Sequence, residues 1–401
     1  MPKITINEKD LTSGGAYLAS ENVVYIPGFS TEADVAGEPV LCKTVEEFTQ
    51  HFGTTPLLLN GKDDKSYIMA YELLKLGMYV LYEVPATALG EQTAVDDEEE
   101  METALGEQGF WTRLTDRGKY DIRFITSGAY AKDNIEIITE MLATAQTRGD
   151  AIALIDHASD LTEKQEVQEH FDTIGADVNS KYGAGFTPWI YINSDAYKAT
   201  APDKLMPGTF AYLASFALSV QTNPSWVAVA GAVRGRIPKI TAPFTSIQYG
   251  ELEANDLQTR EKGEIAVNPI CNINPYGYII WGNRTLSPVG AGATAQNDLV
   301  ATNFLNIRNL ISSIKKTLFV ASRGLTFEQN SDILWINFKA QITPLLDKMT
   351  TGNGIAGYRL IKQKADKKAT LKATIRIVPI EAVEDFDLTV EMSDSTESVT
   401  E

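Results

Sequence analysis

Between residues 65 and 231 the chain alternates short apolar runs with stretches of helical spacing, and this rhythm restricts the fold more than any other feature. KSYIMAYELLKLG (65–77) has helical spacing and ends on a glycine suited to closing a helix. It leads into YVLYEV (79–84), a strand. Further strand-like runs follow at DIRFITS (121–127), AIALID (151–156), PWIYI (188–192) and WVAVAG (226–231). Helical stretches fall between them near 134–147, 163–174 and 205–220. The spacing predicts an α/β domain with helices packed on a largely parallel or mixed sheet.

One segment breaks the rhythm. TALGEQ occurs at 87–92 and again at 103–108, with TAVDDEEEME between, and residues 87–110 carry eight acids and no base. Consecutive acids lack the alternating oxygen ligands and central glycine of a calcium loop. The segment therefore reads as an exposed, solvated insertion or hairpin. Acids outnumber bases 53 to 35 over the chain, for a net charge of −18. Such a surface repels phosphate backbones, which argues against nucleic acid as a partner. Only Cys42 and Cys271 are present, both in contexts that read as buried strand edges, so no disulfide framework is expected and a reducing cytoplasm suits the composition. No stretch approaches the length of an apolar membrane span, so direct membrane insertion is not expected.

From about residue 271 the texture changes. The strand YIIW (278–281) runs into GNRTL, and Arg284 sits just past it. A long amphipathic helix follows, in which Phe304, Ile307, Ile311, Ile314 and Leu318 form one apolar stripe. A second helix is expected over 332–349. GNGIAG (352–357) matches a dinucleotide fingerprint in letters alone. A helix precedes it and a strand follows, the reverse of the required order, so it reads as a helix end and turn.

Both chain ends alternate with period 2. Ile4 and Ile6 stand between polar neighbours, Leu371, Ala373, Ile375 and Ile377 alternate with Lys372, Thr374 and Arg376, and Phe386, Leu388, Val390 and Met392 alternate with Asp387, Thr389 and Glu391. Lone terminal strands cannot satisfy their backbone or bury their apolar face, so they must join a sheet in their own subunit or in a neighbour. Charge segregates here too. Residues 359–376 hold seven bases and one acid, and 381–401 hold eight acids and no base. A basic strand beside an acidic one is a favourable antiparallel pair, within or between chains.

The search for chemistry is mostly negative. No nucleophile elbow, P-loop, paired C-x-x-C or H-E-x-x-H occurs. The best enzyme-like cluster is Asp156, His157 and Asp160 beyond a strand, where α/β folds bind ligands and where an acid and a base could serve together. The competing structural reading is a turn in which Asp160 or Thr162 caps the helix starting near 163. No cofactor and no metal ligand set is expected.

The order of motifs then carries a resemblance. WGNRTL, the helix NFLNIRNLISSIKKTLFVASRG, FEQN, a second helix, GNGIAGYRL and a closing strand near IVPIEAVEDFDLTV resemble the C-terminal domain of contractile tail sheath proteins. Upstream, PVLCKTVEEFTQHFG with AYELLKLGMYVLYEV, and NPSWVAVAGAVRGRI, look like further segments of that family. Gln329 replaces the usual proline of the FEPN-like turn, and Glu83 stands where an arginine is common. The resemblance implies a structural subunit, not an enzyme, with an α/β (α+β overall) architecture. A central α/β sandwich domain (21–270, with the acidic insertion near 87–118) would precede a C-terminal two-helix, mixed-sheet domain (271–382). Terminal arms would occupy 1–20 and 383–401. It implies that Ile4, Ile6, Phe386, Leu388 and Val390 anchor arm strands on neighbouring copies. Trp281, Gly282, Arg284 and Glu328 would fix the fold or the lattice, with Arg284 meeting Glu328 or a helix C-terminus. Arg308, Lys315 and Lys316 would touch an inner tube. Implied partners are further copies of the chain, the tail tube protein, and baseplate and terminator proteins, in a virion tail or phage-tail-like particle.

Overall fold

The expected strand–helix alternation builds an eight-stranded sheet. The computed structural model describes residues 22–58, 61–85, 97–177, 179–196, 205–238, 248–290, 300–364, 370–380 and 382. Strand β1 (Val23–Pro27) is buried throughout, β2 (Val40–Cys42) lies at an edge, and helix α1 (Val45–Phe52) is capped by Thr44. Helix α2 (Lys65–Lys75) and strand β3 (Tyr79–Glu83) match the expected pair. After α3 (Asp97–Leu105) come β4 (Phe124–Ile125), α4 (Ile135–Arg148), β5 (Ile152–Ile155), α5 (Lys164–Gly175) and β6 (Gly183–Thr187). A short pair, β7 (Ile190–Tyr191) and β8 (Leu205–Met206), precedes α6 (Gly208–Ser219). Helix α7 (Glu251–Gln258) and strands β9 (Asn268–Ile273) and β10 (Gly277–Ile280) complete this body.

The sheet order is β10-β9-β6-β5-β4-β1-β3-β2. Neighbours from β3 to β9 pair in parallel, and the edge strands β2 and β10 run antiparallel. One face is covered by α1, α2 and α6, with Phe48, Phe52, Leu73, Phe210 and Phe216 among the buried side chains. The other is covered by α3, α4, α5 and α7, with Met101, Leu142, Phe171 and Leu257. Burial on both faces is why β1 and β5 read as unbroken apolar runs.

Several expectations are corrected. The segment 226–231 is not a strand; Ser225 and Trp226 turn toward the C-terminal helices instead. The strand expected at 188–192 is present only as the short β7, and the strand of the main sheet before it, in GAGFT, was not expected. Its glycines hid it, yet they are needed there: a Cβ on Gly185 would lie 2.5 Å from the Phe171 ring. The acidic segment is not wholly solvated. Within α3, Met101 and Leu105 are fully buried, and the Trp111 indole donates to the Leu105 carbonyl at 2.9 Å. An apolar residue every fourth position lets an acidic helix dock one side while its acids face water. The expected domain boundary at residue 271 falls inside β9 of the main sheet.

Beyond the body, α8 (Leu305–Gly324) and α9 (Asp332–Thr351) lead into an antiparallel hairpin of β11 (Ile355–Gln363) and β12 (Lys372–Pro379). This hairpin forms its own two-stranded sheet. The basic strand therefore pairs on one side with β11, itself basic, and the acidic segment after 382 lies outside the described residues. GNGIAG is a helix end and turn, as its position suggested: Gly352 closes α9 and β11 starts at Ile355. Among the described residues no helix is long and apolar enough to cross a membrane, and no cluster of His, Cys, Asp or Glu could hold a metal.

Candidate assembly surface

The WGNRTL turn is the clasp between body and C-terminal unit. The Trp281 indole donates to Asn255 Oδ1 at 2.6 Å. Gly282 passes so close to β9 that a Cβ there would lie 2.7 Å from the Asn268 Cα, so only glycine fits. Asn283 reaches the start of α8: its Oδ1 accepts from the Asn306 N–H at 3.1 Å and its carbonyl accepts from the Leu305 N–H at 3.0 Å. These satisfy two helix-start donors that have no partner within the helix. Thr285 adds two bonds, its N–H to the Asn303 carbonyl and its hydroxyl to that of Thr302.

Arg284 is buried. Its guanidinium lies over the Phe304 ring, 4.8 Å from the centroid, and its Nε donates to the Gln258 carbonyl at 3.2 Å. Gln258 is the last residue of α7, so the arginine meets a helix C-terminus, where a cation is favoured. Glu328, the carboxylate partner considered from sequence, is instead exposed in the turn between α8 and α9. The Asn268 side chain holds the Arg284 backbone on both sides, accepting from its N–H at 2.6 Å and donating to its carbonyl at 2.8 Å. Nothing in the sequence singled out Asn268.

Helix α8 departs most from expectation, because its polar side is buried as well as its apolar one. Arg123 donates to the Asn309 carbonyl and to Ser313 Oγ, and Asn309 donates to the Tyr212 hydroxyl. Arg308 is buried with its guanidinium 4.5 Å from the Tyr182 ring centroid. Lys316 is buried against Asp121, and the Lys315 ammonium lies 5.9 Å from the Tyr182 ring centroid. Arg308 and Lys316 are therefore internal cations, not tube-facing ones, and Lys315 is half-buried beside them. Ser313 and the Asn309 amide of this helix thus find polar partners on the body.

The far half of α8 leaves the body and packs on α9 with the hairpin. Leu310, Ile314, Phe338, Ile342, Leu346, Met349 and Ile355 form a small separate core. Trp226 pins it to the body: its indole donates to the Gly352 carbonyl at 3.2 Å, and a Cβ on Gly354 would lie 2.6 Å from the indole nitrogen. Among the described residues this core is incomplete. A groove of about 790 Å³ runs between α8 and the inner face of β12, lined by Ile311, Ile314, Leu318, Phe338, Ile375 and Ile377 among others. The outer edges of β11 and β12 are unpaired among the described residues. Phe327, in the turn that borders the groove, is wholly exposed.

No protein-family profile matches the chain. The tail sheath protein of Vibrio phage KVP40 is 23% identical over 141 residues, which are 35% of this chain but only 19% of that relative's own length. Solved structures match over nearly the whole chain. The sheath complex of the extracellular contractile injection system PVC, in its contracted state, superposes with a TM-score of 0.64 at 13% identity, covering 99% of each chain. The contracted helical sheath of the anti-feeding prophage gives 0.61 at 13% identity over 98% of this chain and 99% of that one. A sheath tail protein from Listeria innocua gives 0.55 at 8% identity over 92% and 98%.

The chain has the fold of a contractile-sheath subunit. In this sheath fold the clasp, the helix pair and the open hairpin belong to one continuous unit attached to the α/β body. The anchors expected in the arms, Ile4, Ile6, Phe386, Leu388 and Val390, lie outside the described residues.

The enzyme-like cluster does not come together. Asp160 is exposed, whereas Asp156 is buried, accepts from the Thr209 N–H and hydroxyl at 2.8 and 2.6 Å, and pairs with Lys132 at 3.4 Å. It therefore caps the start of α6. Helix α5 is capped by Glu163, with Glu166 reaching back, and not by Asp160 or Thr162. His157 is buried, donates from Nδ1 to the Ala158 carbonyl at 2.7 Å, and so offers Nε2 as acceptor to the Thr187 hydroxyl at 3.0 Å. Burial lowers its pKa to about 4. The unfolded chain takes up this proton near the ordinary value of 6.5, so His157 favours folding fully above that value. Its contribution is lost as pH falls from about 6.5 to about 4, by on the order of 3 kcal/mol. Asp64 and Asp156, whose carboxyl pKa values burial raises, act in the opposite sense, so the measurement is a difference. Denaturant stability of the wild type should fall more steeply over that range than that of His157→Gln. Parallel curves would reject the assignment.

Proposed function

We propose that this chain is the repeating subunit of a contractile sheath, which polymerises around an inner tube and shortens to drive the tube through a target envelope. The observation that carries the reading is the unfinished C-terminal core. Among the described residues the hairpin leaves strand edges open above an apolar groove, and the chain ends carry strand-like segments with one apolar face. An arm from a neighbouring copy, added at the β12 edge, would place Phe386, Leu388 and Val390 in the groove and pair the backbone along the edge. The likeness in fold to sheaths in their contracted state supports the same role. Contraction then draws its free energy from contacts between bodies that form only in the shortened lattice, while the arms keep neighbours attached. The inner tube, a baseplate and a terminator are the further partners in this reading, in a phage tail or phage-tail-like particle.

Negative-stain microscopy of the purified full-length protein should show long hollow polymers. Discrete globular oligomers at every concentration and salt level would overturn the proposal. A tube protein that co-purifies inside such polymers would check the proposed tube partner.

A further inference from the structure

The outward face of the hairpin carries a charge arrangement that the fold does not resolve internally. In the antiparallel register Arg359 stands directly opposite Arg376, and both are exposed. Like charges directly opposite one another weaken a strand pair. On the inward face, by contrast, Lys362 is matched, donating to Asp332 at 2.7 Å. Among the described residues no carboxylate pairs with Arg359 or Arg376, although the chain carries 53 acids. The same face holds Val378, which is 61% exposed.

The alternation of β12 separates its two faces. Ala373, Ile375 and Ile377 line the groove, while Lys372, Thr374, Arg376 and Val378 face outward. The C-terminal segment has a complementary alternation, with Phe386, Leu388, Val390 and Met392 on one side and Asp385, Asp387, Thr389 and Glu391 on the other. A strand laid beside β12 with its apolar side in the groove has its other side coplanar with the arginine pair, because successive side chains alternate across a sheet.

Resting on the arm reading above, we infer that Arg359 and Arg376 form a charge latch for the acidic side of another copy's C-terminal arm. Asp385, Asp387 and Glu391 are its partners. The latch selects which way up the arm lies. A slip by one residue sends the acids into the apolar groove and the apolar side chains onto the arginines, so both faces penalise the wrong register together. The apolar side supplies the bulk of the attachment, and the latch supplies its orientation and its sensitivity to salt.

The test is a charge exchange in the full-length chain, read as the lowest protein concentration at which sedimentable polymers form at low salt. Reversing Arg359→Glu with Arg376→Glu should raise that concentration about tenfold, as should reversing Asp385→Lys with Asp387→Lys. Combining all four changes should restore assembly to near the wild-type concentration. The neutral pair Arg359→Gln and Arg376→Gln, which removes the like-charge contact without creating another, should weaken assembly and flatten its dependence on salt. If the fourfold exchange assembles no better than either double reversal, or the neutral pair keeps the wild-type salt dependence, the latch is overturned while the arm reading stands. If a chain shortened after Ala382 assembles like the wild type, the arm reading itself falls.

Discussion

A chain ended after Ala382 is expected to fold and to form no tubes. The cut removes Phe386, Leu388 and Val390 and leaves every buried residue of the body and of the small C-terminal core in place. Its unfolding midpoint should therefore stay near that of the full-length monomer. Its assembly should not survive. In the proposed junction, three large apolar side chains in the groove would contribute roughly 1.5–3 kcal/mol each, so about 5–9 kcal/mol per junction would be lost. The proposed pairing of the arm backbone along β12 would be lost with it, leaving the edge open to water. Each subunit in a sheath needs such a junction, so the loss multiplies along the polymer. Sedimentation velocity should show a monomer or small oligomer where the full-length protein pellets. Tubes of normal length from the shortened chain would reject the proposed attachment.

Arg284→Ala should have the largest effect on the fold of any single change in the clasp. It removes a cation stacked on Phe304, worth about 0.5–2 kcal/mol in such a site. It leaves the Gln258 carbonyl without this donor, at about 1–3 kcal/mol. It also opens a cavity beneath the start of α8. The sum is about 3–5 kcal/mol, in the range of severe core lesions. Arg284→Lys should recover only part of it, because an ammonium cannot stack as a flat guanidinium does. Denaturant unfolding of the unassembled protein measures this. A loss under about 1 kcal/mol for the alanine variant would show that the arginine is not structural. The same helix that Arg284 positions floors the groove, so an unstable clasp should also impair polymer formation.

Much of the architecture was legible because the relevant signals are local. Thirteen residues of helical spacing ending on Gly77 mark α2, and the apolar runs at 79–84 and 151–156 mark β3 and β5. The GNGIAG turn was readable because the order of flanking elements distinguishes a helix end from a phosphate loop. The glycine-rich β6 was not readable. Its residues look like a loop, and only the close approach of Phe171 explains why side chains are absent there. The tube-facing assignment of Arg308 and Lys316 failed for a related reason. A basic residue on the polar side of an amphipathic helix is usually solvated, but here Tyr182 and Asp121 of the body come to meet that side.

The clasp shows the same division. From the sequence, Arg284 could meet a carboxylate or a helix end. Both chemistries suit a guanidinium, and sequence spacing does not report which group folding brings near. Asn268, which holds the Arg284 backbone at both ends, gave no sign of itself, since a buried asparagine and a surface one are spelled alike.

By itself, the sequence determined the alternation of strands and helices, the two C-terminal helices and the two-faced character of the C-terminal strands. Each depends on periodicity within a dozen residues, which backbone geometry converts directly into faces. The tertiary structure alone decided which polar residues are buried, that Arg284 caps α7, and that the hairpin stands over a groove unfilled by any of the described residues. Those outcomes depend on which distant segments meet, and a partner far along the chain leaves no mark in the local pattern of either one.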